Sequence, residues 1–190
     1  MPMTRRAFAG LFSATLAAPA WAAPDSSSMT AYVFAFDGLE GGSMPLAAHV
    51  GHPLMIVNTA SLCGYTPQYA ALEALWKSYR RRGLTIIGVP SNDFGGQEPG
   101  TAGDIAHVAH ENYGVTFPLA AKTSVRGPNA HRFYKWAAQQ RPAETPQWNF
   151  NKYLIGPDGD IAAAFPTGTD PGSPGIINAI EKQLAIARQG

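Results

Sequence analysis

The architecture of this chain is set by the segment Val57-Asn58-Thr59-Ala60-Ser61-Leu62-Cys63-Gly64-Tyr65-Thr66-Pro67, which holds its only cysteine. The preceding residues 54–57 are all apolar, as in a strand covered on both faces of a sheet. Pro67 opens a segment with helical periodicity, so Cys63 is predicted to lie at a strand-to-helix turn. There, free backbone N–H groups and the helix dipole favour the nucleophilic thiolate. A buried structural cysteine is the alternative, because free Cys is among the most buried residue types.

A parallel strand–helix–strand unit is predicted around this turn. The helix after Pro67 should end at Gly83, and the apolar run at 84–89 follows as a second buried strand. Strands joined in this way pair in parallel with a right-handed crossover. Ligands gather at the carboxyl ends of such strands, so the Gly- and Pro-rich loop at 90–100 should lie beside Cys63. The helix carries one apolar stripe, formed by Leu72, Leu75, Trp76 and Tyr79.

The rest of the chain predicts an antiparallel half. With the parallel unit first and a hairpin and helix last, the elements indicate the α/β class and a thioredoxin-like fold, in which helices flank a central mixed sheet. The later predicted elements are a helix at 101–112, a short strand at 115–119, a helix at 129–138, a hairpin with its turn at 156–159, and a helix with its apolar stripe at 176–184.

The first 22 residues have the pattern of an export signal. Arg5 and Arg6 precede the short apolar run at 11–18, and the cleavage pattern Ala20-Trp21-Ala22 follows. The paired arginines indicate the twin-arginine route. We therefore predict a signal peptide at 1–22, a linker at 23–30 and a periplasmic or exported domain at 31–190, with no stable membrane association after cleavage. An uncleaved anchor is the alternative.

Composition narrows the classes of partner and site. The chain has 190 residues, of which 45% are hydrophobic, as suits one globular domain. A formal net charge of +1 gives no support for nucleic-acid binding. His107 and His110 are spaced i, i+3, but no third ligand is evident nearby, so no metal site is predicted. A single cysteine in an exported protein is either reactive or intermolecular.

Four segments together resemble the glutathione peroxidase family, in the family's order and across about residues 30–187. They are Asn58–Thr66, Asn92–Gly100, Val115–Leu119 and Trp148–Lys152. The resemblance implies a thioredoxin-like fold, no cofactor, and reduction of hydrogen peroxide or organic hydroperoxides by a thiol. It also implies that Cys63 is the peroxidatic cysteine.

The family's active-site tetrad is matched in part. Trp148 and Asn149 match two further members, and Asp93 stands where the family commonly has Gln. An amide can donate a hydrogen bond to the thiolate, whereas a carboxylate accepts only and adds a like charge. We therefore expect either a proton-shuttling Asp93 or a less ionised thiol. Gln97 could replace the family's Gln in this role, but it matches a different position of the family's loop and is therefore less favoured.

A second departure concerns turnover. Relatives that use thioredoxin carry a resolving cysteine on the helix before 115–119, where this chain has Ala109. No intramolecular disulfide can form with one cysteine, so the resemblance implies an external thiol, either glutathione or a thioredoxin-like protein. The short connector at 141–146, compared with the insertion of tetrameric relatives, predicts a monomer. The alternative function is a redox-sensing or binding protein with little peroxidase turnover.

Overall fold

The computed structural model describes Met1 and residues 29–189 of the chain. The predicted signal peptide and most of the predicted linker therefore lie outside the described residues. Within the described part, no helix is both long enough and apolar enough to cross a membrane.

Six strands and four α-helices make up the described domain. The strands are β1 (Ala35–Asp37), β2 (Ser43–Pro45), β3 (Leu54–Thr59), β4 (Thr85–Pro90), β5 (Lys152–Ile155) and β6 (Ile161–Phe165), and the helices are α1 (Gln68–Tyr79), α2 (Ala102–Ala106), α3 (Arg132–Gln140) and α4 (Pro174–Ala187).

The central sheet has the strand order β4-β3-β5-β6. Strand β3 runs parallel to β4 and antiparallel to β5, and β5 pairs antiparallel with β6. This is the predicted thioredoxin-like arrangement, with a parallel unit first and an antiparallel hairpin and helix last. β1 and β2 form a separate two-stranded sheet.

Strand β3 is the centre of the fold because both of its faces are covered. All six of its residues are buried. Met55 and Val57 belong to an apolar cluster with residues of α1, α2 and α4, whereas Leu54 and Ile56 belong to a cluster with residues of α3. The uninterrupted apolar run at 54–57 follows from this double coverage.

Two predicted elements differ from the structure. The segment 115–119 is not a strand: Leu119 forms an isolated bridge to Gly88, and the neighbouring backbone contact is Gly88 N to Pro118 O at 3.0 Å. Pro118 has no N–H to donate, so pairing cannot extend along this segment. The helix predicted at 101–112 begins with the expected capping box at Thr101 but continues as π-helix from His107 to Asn112.

Glycine is required at position 88, where β4 meets the 115–119 segment. A Cβ there would lie 2.5 Å from Leu119 Cδ2 and 3.2 Å from a Phe117 ring atom. We expect Gly88→Ala to lower the free energy of unfolding by about 1–3 kcal/mol through overpacking. Gly168→Ala is the matched control, since nothing lies within 4 Å of its added Cβ. Urea unfolding of both variants tests this, and equal stabilities would contradict the steric argument.

Candidate active site

Cys63 lies in the predicted turn between β3 and α1, and 7% of its surface is exposed. The backbone N–H of Tyr65 donates to Cys63 Sγ at 3.4 Å. The hydroxyl of Thr66 shapes the turn, because it accepts from Cys63 N at 3.0 Å and lies 2.9 Å from Ala60 O. These contacts hold Cys63 in a largely buried position.

The N-terminus of α1 follows directly after the turn that holds Cys63. α1 begins after Pro67 with no side-chain cap and no acidic residue in its first turn. The positive end of the helix dipole is thus left without a neutralising carboxylate in that turn, which favours a negative charge near the N-terminus.

Asn58, near the end of β3, clamps the segment 148–151 onto the strand that leads to Cys63. Its side-chain amide donates to Trp148 O at 3.0 Å, and its Oδ1 accepts from Asn151 N at 3.2 Å. The Asn58 backbone makes two further hydrogen bonds to this segment. Its carbonyl accepts from Phe150 N at 2.6 Å, and its N–H donates to Asn151 O at 3.2 Å. The segment is held although Phe150 has a φ of 62°, which a residue with a bulky side chain seldom adopts.

Trp148 and Asn149, which lie in the clamped segment, differ in their exposure to solvent. Trp148 is 37% exposed and packs on Phe94, with ring centroids 5.9 Å apart. Its indole N–H has no hydrogen-bond partner among residues 29–189. Asn149 is fully buried, its Nδ2 donates to Gln97 Oε1 at 3.0 Å, and its Oδ1 lacks a partner within the described chain. Both side chains retain hydrogen-bonding capacity.

Gln97 links the thiol turn to Asn149, a role that the sequence interpretation did not favour. Its carbonyl accepts from Leu62 N at 3.0 Å, one residue before Cys63, and its side chain meets Asn149. The sequence did carry one signal for Gln97, its residue type, because an amide can donate a hydrogen bond to a thiolate. The family resemblance instead placed the amide of the tetrad at position 93, four residues earlier.

The Asp93 carboxyl accepts hydrogen bonds from the turn at residues 124–126. Its Oδ2 accepts from Val125 N at 2.6 Å, from Arg126 N at 3.1 Å and from Ser124 Oγ at 3.0 Å. Three donors on one turn hold a carboxylate well, whereas a thiolate would repel it. Asp93 thus organises the 124–126 turn, and Gln97 is the loop residue that contacts Asn149.

The surroundings of the thiol are apolar at the surface. Leu62 and Tyr65 are 64% and 42% exposed on either side of Cys63. A separate cavity of about 300 Å³ lies between the 125–130 loop, α3 and the 145–147 segment that precedes Trp148. Arg126 and Lys135 line it, and the Arg126 guanidinium lies 5.3 Å from the centroid of the Phe94 ring.

The two histidines considered for a metal have separate partners. His107 Nδ1 lies 3.0 Å from Glu111 Oε2, and His110 Nδ1 lies 2.8 Å from Val115 O. In the described part of the chain, no group of three His, Cys, Asp or Glu side chains is arranged to hold a metal ion.

Lys152 is a fully buried cation beneath the 148–151 segment. Its Nζ donates to Phe150 O at 2.8 Å, to Thr169 O at 2.8 Å and to Gln68 Oε1 at 2.7 Å. It therefore ties the segment to α1 and to the loop after β6. Burial lowers the pKa of Lys152 from 10.5 to about 8, and the charge of Asp170 opposes this shift.

This lysine makes stability depend on pH in a defined direction. Because the folded pKa lies below the unfolded one, the unfolded chain binds more protons between pH 8 and 10.5. The free energy of unfolding of the wild type, measured relative to Lys152→Met, should rise by up to about 3 kcal/mol across this range. Urea unfolding of both proteins at several pH values measures the difference. A difference that does not vary with pH would contradict the assignment.

The chain is similar to a protein-family model and to several known proteins. The family model described as glutathione peroxidase matches residues 31–138. Hydroperoxy fatty acid reductase gpx1 of Synechocystis sp. is 41% identical over 164 residues, which cover 82% of this chain and 96% of that protein. Glutathione peroxidase-like peroxiredoxin HYR1 of Saccharomyces cerevisiae is 42% identical over 149 residues, 76% of this chain and 90% of that protein.

Solved structures agree with the fold. The crystal structure of Trgpx in apo form superposes with a TM-score of 0.68 at 28% identity, covering 83% of this chain and 97% of that one. A thioredoxin-family thiol:disulfide interchange protein from Chlorobium tepidum has a TM-score of 0.55 at 13% identity over 80% of this chain and 92% of its own, which shows the fold alone. From the matched family model and these relatives, we conclude that the chain belongs to the glutathione peroxidase family.

Proposed function

We propose that this protein is a thiol-dependent peroxidase that reduces hydrogen peroxide or organic hydroperoxides at Cys63. The observation that carries the proposal is the convergence of two loops on the thiol turn. One loop is joined to it through Gln97, and the other, with Trp148 and Asn149, is clamped to the preceding strand by Asn58. Membership of the glutathione peroxidase family supports the same chemistry.

The cycle begins when the Cys63 thiolate attacks the distal oxygen of the hydroperoxide. A sulfur–oxygen bond forms as the oxygen–oxygen bond breaks, the sulfur is oxidised to sulfenic acid, and the other oxygen leaves with a proton as alcohol or water. A first external thiol then displaces water to give a mixed disulfide. A second thiol attacks this disulfide, restores the Cys63 thiol and leaves as part of a small disulfide.

The side chains around the thiol act through hydrogen bonds. The free indole N–H of Trp148 can donate to the leaving oxygen, and the amides of Asn149 and Gln97 supply further polar groups where charge develops. We assign the fourth tetrad position to Gln97, because it contacts Asn149 at 3.0 Å whereas the Asp93 carboxylate is held by the 124–126 turn. These neutral donors stabilise negative charge without adding any.

The substrate and reductant follow from the surroundings of Cys63. The exposed side chains of Leu62, Tyr65 and Trp148 favour a hydroperoxide with an apolar body, and the Synechocystis relative is named a hydroperoxy fatty acid reductase. With one cysteine in the chain, the oxidised enzyme requires an external thiol. Glutathione and a thioredoxin-like protein are the two candidate reductants.

Export and a monomeric state complete the proposal. The paired arginines and the cleavage pattern at 20–22 support export through the twin-arginine route, leaving a periplasmic or secreted domain. The connector before Trp148 is short and holds one 3₁₀ turn, at Pro142–Glu144, which supports a monomer.

A redox sensor is the second candidate function, and the single thiol favours it. A sensor would be oxidised once by peroxide and then wait for a specific partner, whereas a peroxidase turns over. Steady-state consumption of peroxide with glutathione, compared with a thioredoxin-like dithiol protein, separates the two functions. Turnover with either thiol supports the peroxidase.

The chemistry of Cys63 can be tested with one equivalent of peroxide. Mass spectrometry should show one added oxygen on Cys63, and glutathione in the mixture should convert it to a mixed disulfide and then to the thiol. Cys63→Ser is the control and should consume no peroxide. A wild-type thiol that stays reduced while a small free thiol is oxidised would exclude the peroxidase.

The assignment of Gln97 and Asp93 can be tested with a pair of variants. Gln97→Leu should slow the oxidation of Cys63 by peroxide about tenfold or more, because it removes a polar group at the reacting centre. Asp93→Ala should instead destabilise the fold by about 1–3 kcal/mol, since it leaves the donors of the 124–126 turn without their acceptor. Stopped-flow oxidation and urea unfolding measure the two effects. A larger rate loss in Asp93→Ala would return the catalytic role to Asp93.

A further inference from the structure

The cavity between the 125–130 loop, α3 and residues 145–147 has no part in the proposed mechanism. Its volume of about 300 Å³ lies at the lower end of the range of pockets that hold small molecules. Val125, Ala130 and Pro146 give this space, the Arg126 cavity, an apolar part of its lining. A small ligand with an apolar body therefore suits these walls.

The charged side chains that line the Arg126 cavity are all cations. Arg126 and Lys135 are both exposed to solvent, and no Asp or Glu belongs to the lining. In the part of the chain that the structure describes, neither of the two cations forms a salt bridge. Two cations without a counter-ion beside one cavity favour an anionic ligand.

Arg126 is held in place although it is exposed. Its backbone N–H donates to Asp93 Oδ2 at 3.1 Å, and its guanidinium lies 5.3 Å from the centroid of the Phe94 ring. A cation–π contact restricts the side chain without providing a carboxylate acceptor, so guanidinium N–H groups remain available to a ligand. Because the side chain is already restricted, less conformational entropy is lost when it binds an anion.

Two carboxyl groups lie close to the cavity along the chain, and both have other partners. Asp93 Oδ2 accepts three hydrogen bonds from the 124–126 turn. Glu144, the residue before the 145–147 segment, has its Oε2 3.7 Å from Arg141 Nη1 and lines a different cavity. Neither carboxyl forms a salt bridge with Arg126 or Lys135, so the positive charge of the cavity remains uncompensated by them.

We propose that the Arg126 cavity is a binding site for a small organic carboxylate with an apolar body. Arg126 and Lys135 bind the carboxylate, since a guanidinium matches the planar geometry of that group. The body of the ligand lies against the apolar walls, which an inorganic anion such as phosphate would leave without a contact. The site does not depend on the proposed peroxidase activity, because none of its residues is assigned to the chemistry of Cys63.

The ligand class can be tested by titrating the ¹⁵N-labelled protein with hexanoate and following its amide resonances by NMR. Hexanoate should shift the amides of Gly127, Lys135 and Gln147, at low salt because exposed charges are screened. Three probes serve as controls: hexanamide is neutral but has the same body, whereas acetate and phosphate are charged but lack it. Each control probe should bind at least about threefold more weakly than hexanoate.

The role of the two cations can be tested with single substitutions. Arg126→Gln and Lys135→Gln should each raise the Kd of hexanoate about three- to fivefold, because each removes one exposed charge from the site. Arg132→Gln is the matched control and should leave the Kd unchanged. Arg132 is an exposed cation on the same helix, but it lines a different cavity of about 190 Å³.

A substitution that fills the cavity separates a bound ligand from a general attraction of anions to the surface. Ala138, on α3, lines the cavity and is partly exposed, so Ala138→Leu should remove most of the space without changing any charge. Hexanoate should then bind at least about threefold more weakly, because its apolar body loses its contacts.

Several results would overturn the proposal. Equal binding of hexanamide would exclude a role for the carboxylate, and equal binding of acetate or phosphate would exclude a role for the apolar walls. An effect of Arg132→Gln as large as that of Arg126→Gln, or unchanged binding to Ala138→Leu, would indicate attraction to the surface as a whole. Unchanged amide resonances with hexanoate would exclude the site altogether.

Discussion

The clamp made by Asn58 on residues 148–151 is the contact on which the rest of the site depends. One buried amide and its own peptide group make four hydrogen bonds to this segment, which is the reason a loop distant in sequence lies at the end of β3. The clamp also holds Phe150 in a strained backbone conformation, and Lys152 secures the same segment from below. The clamp thereby fixes the segment that carries Trp148 and Asn149 against the strand that leads to Cys63.

The second constraint comes from the loop after β4, through Gln97. The Gln97 backbone binds the thiol turn, and its side chain binds Asn149. The two side chains that this contact joins are neutral amides, which add no charge to the site. The Asp93 carboxyl is occupied by the 124–126 turn.

Much of the fold was predictable because its signals are local or periodic. The doubly covered strand at 54–57, the helical stripe of α1 and the hairpin near 156–159 each follow from patterns that tertiary contacts reinforce. The segment 115–119 was predicted wrongly as a strand, because an apolar, β-rich pattern does not reveal that Pro118 prevents the pairing from extending. The π-helical turn after α2 likewise leaves no signal in residue types.

The candidate site was likewise predictable from the sequence only in part. Residue order and motif were enough to predict Cys63 as the nucleophile and Trp148 and Asn149 as further site residues, since a strand-to-helix turn and a specific loop motif can be read from the sequence itself. Which of Asp93 and Gln97 contacts Asn149 became known from the three-dimensional structure. Within a loop, side-chain direction follows from the donors that surround it after folding, and those donors, such as the 124–126 turn, come from distant parts of the chain.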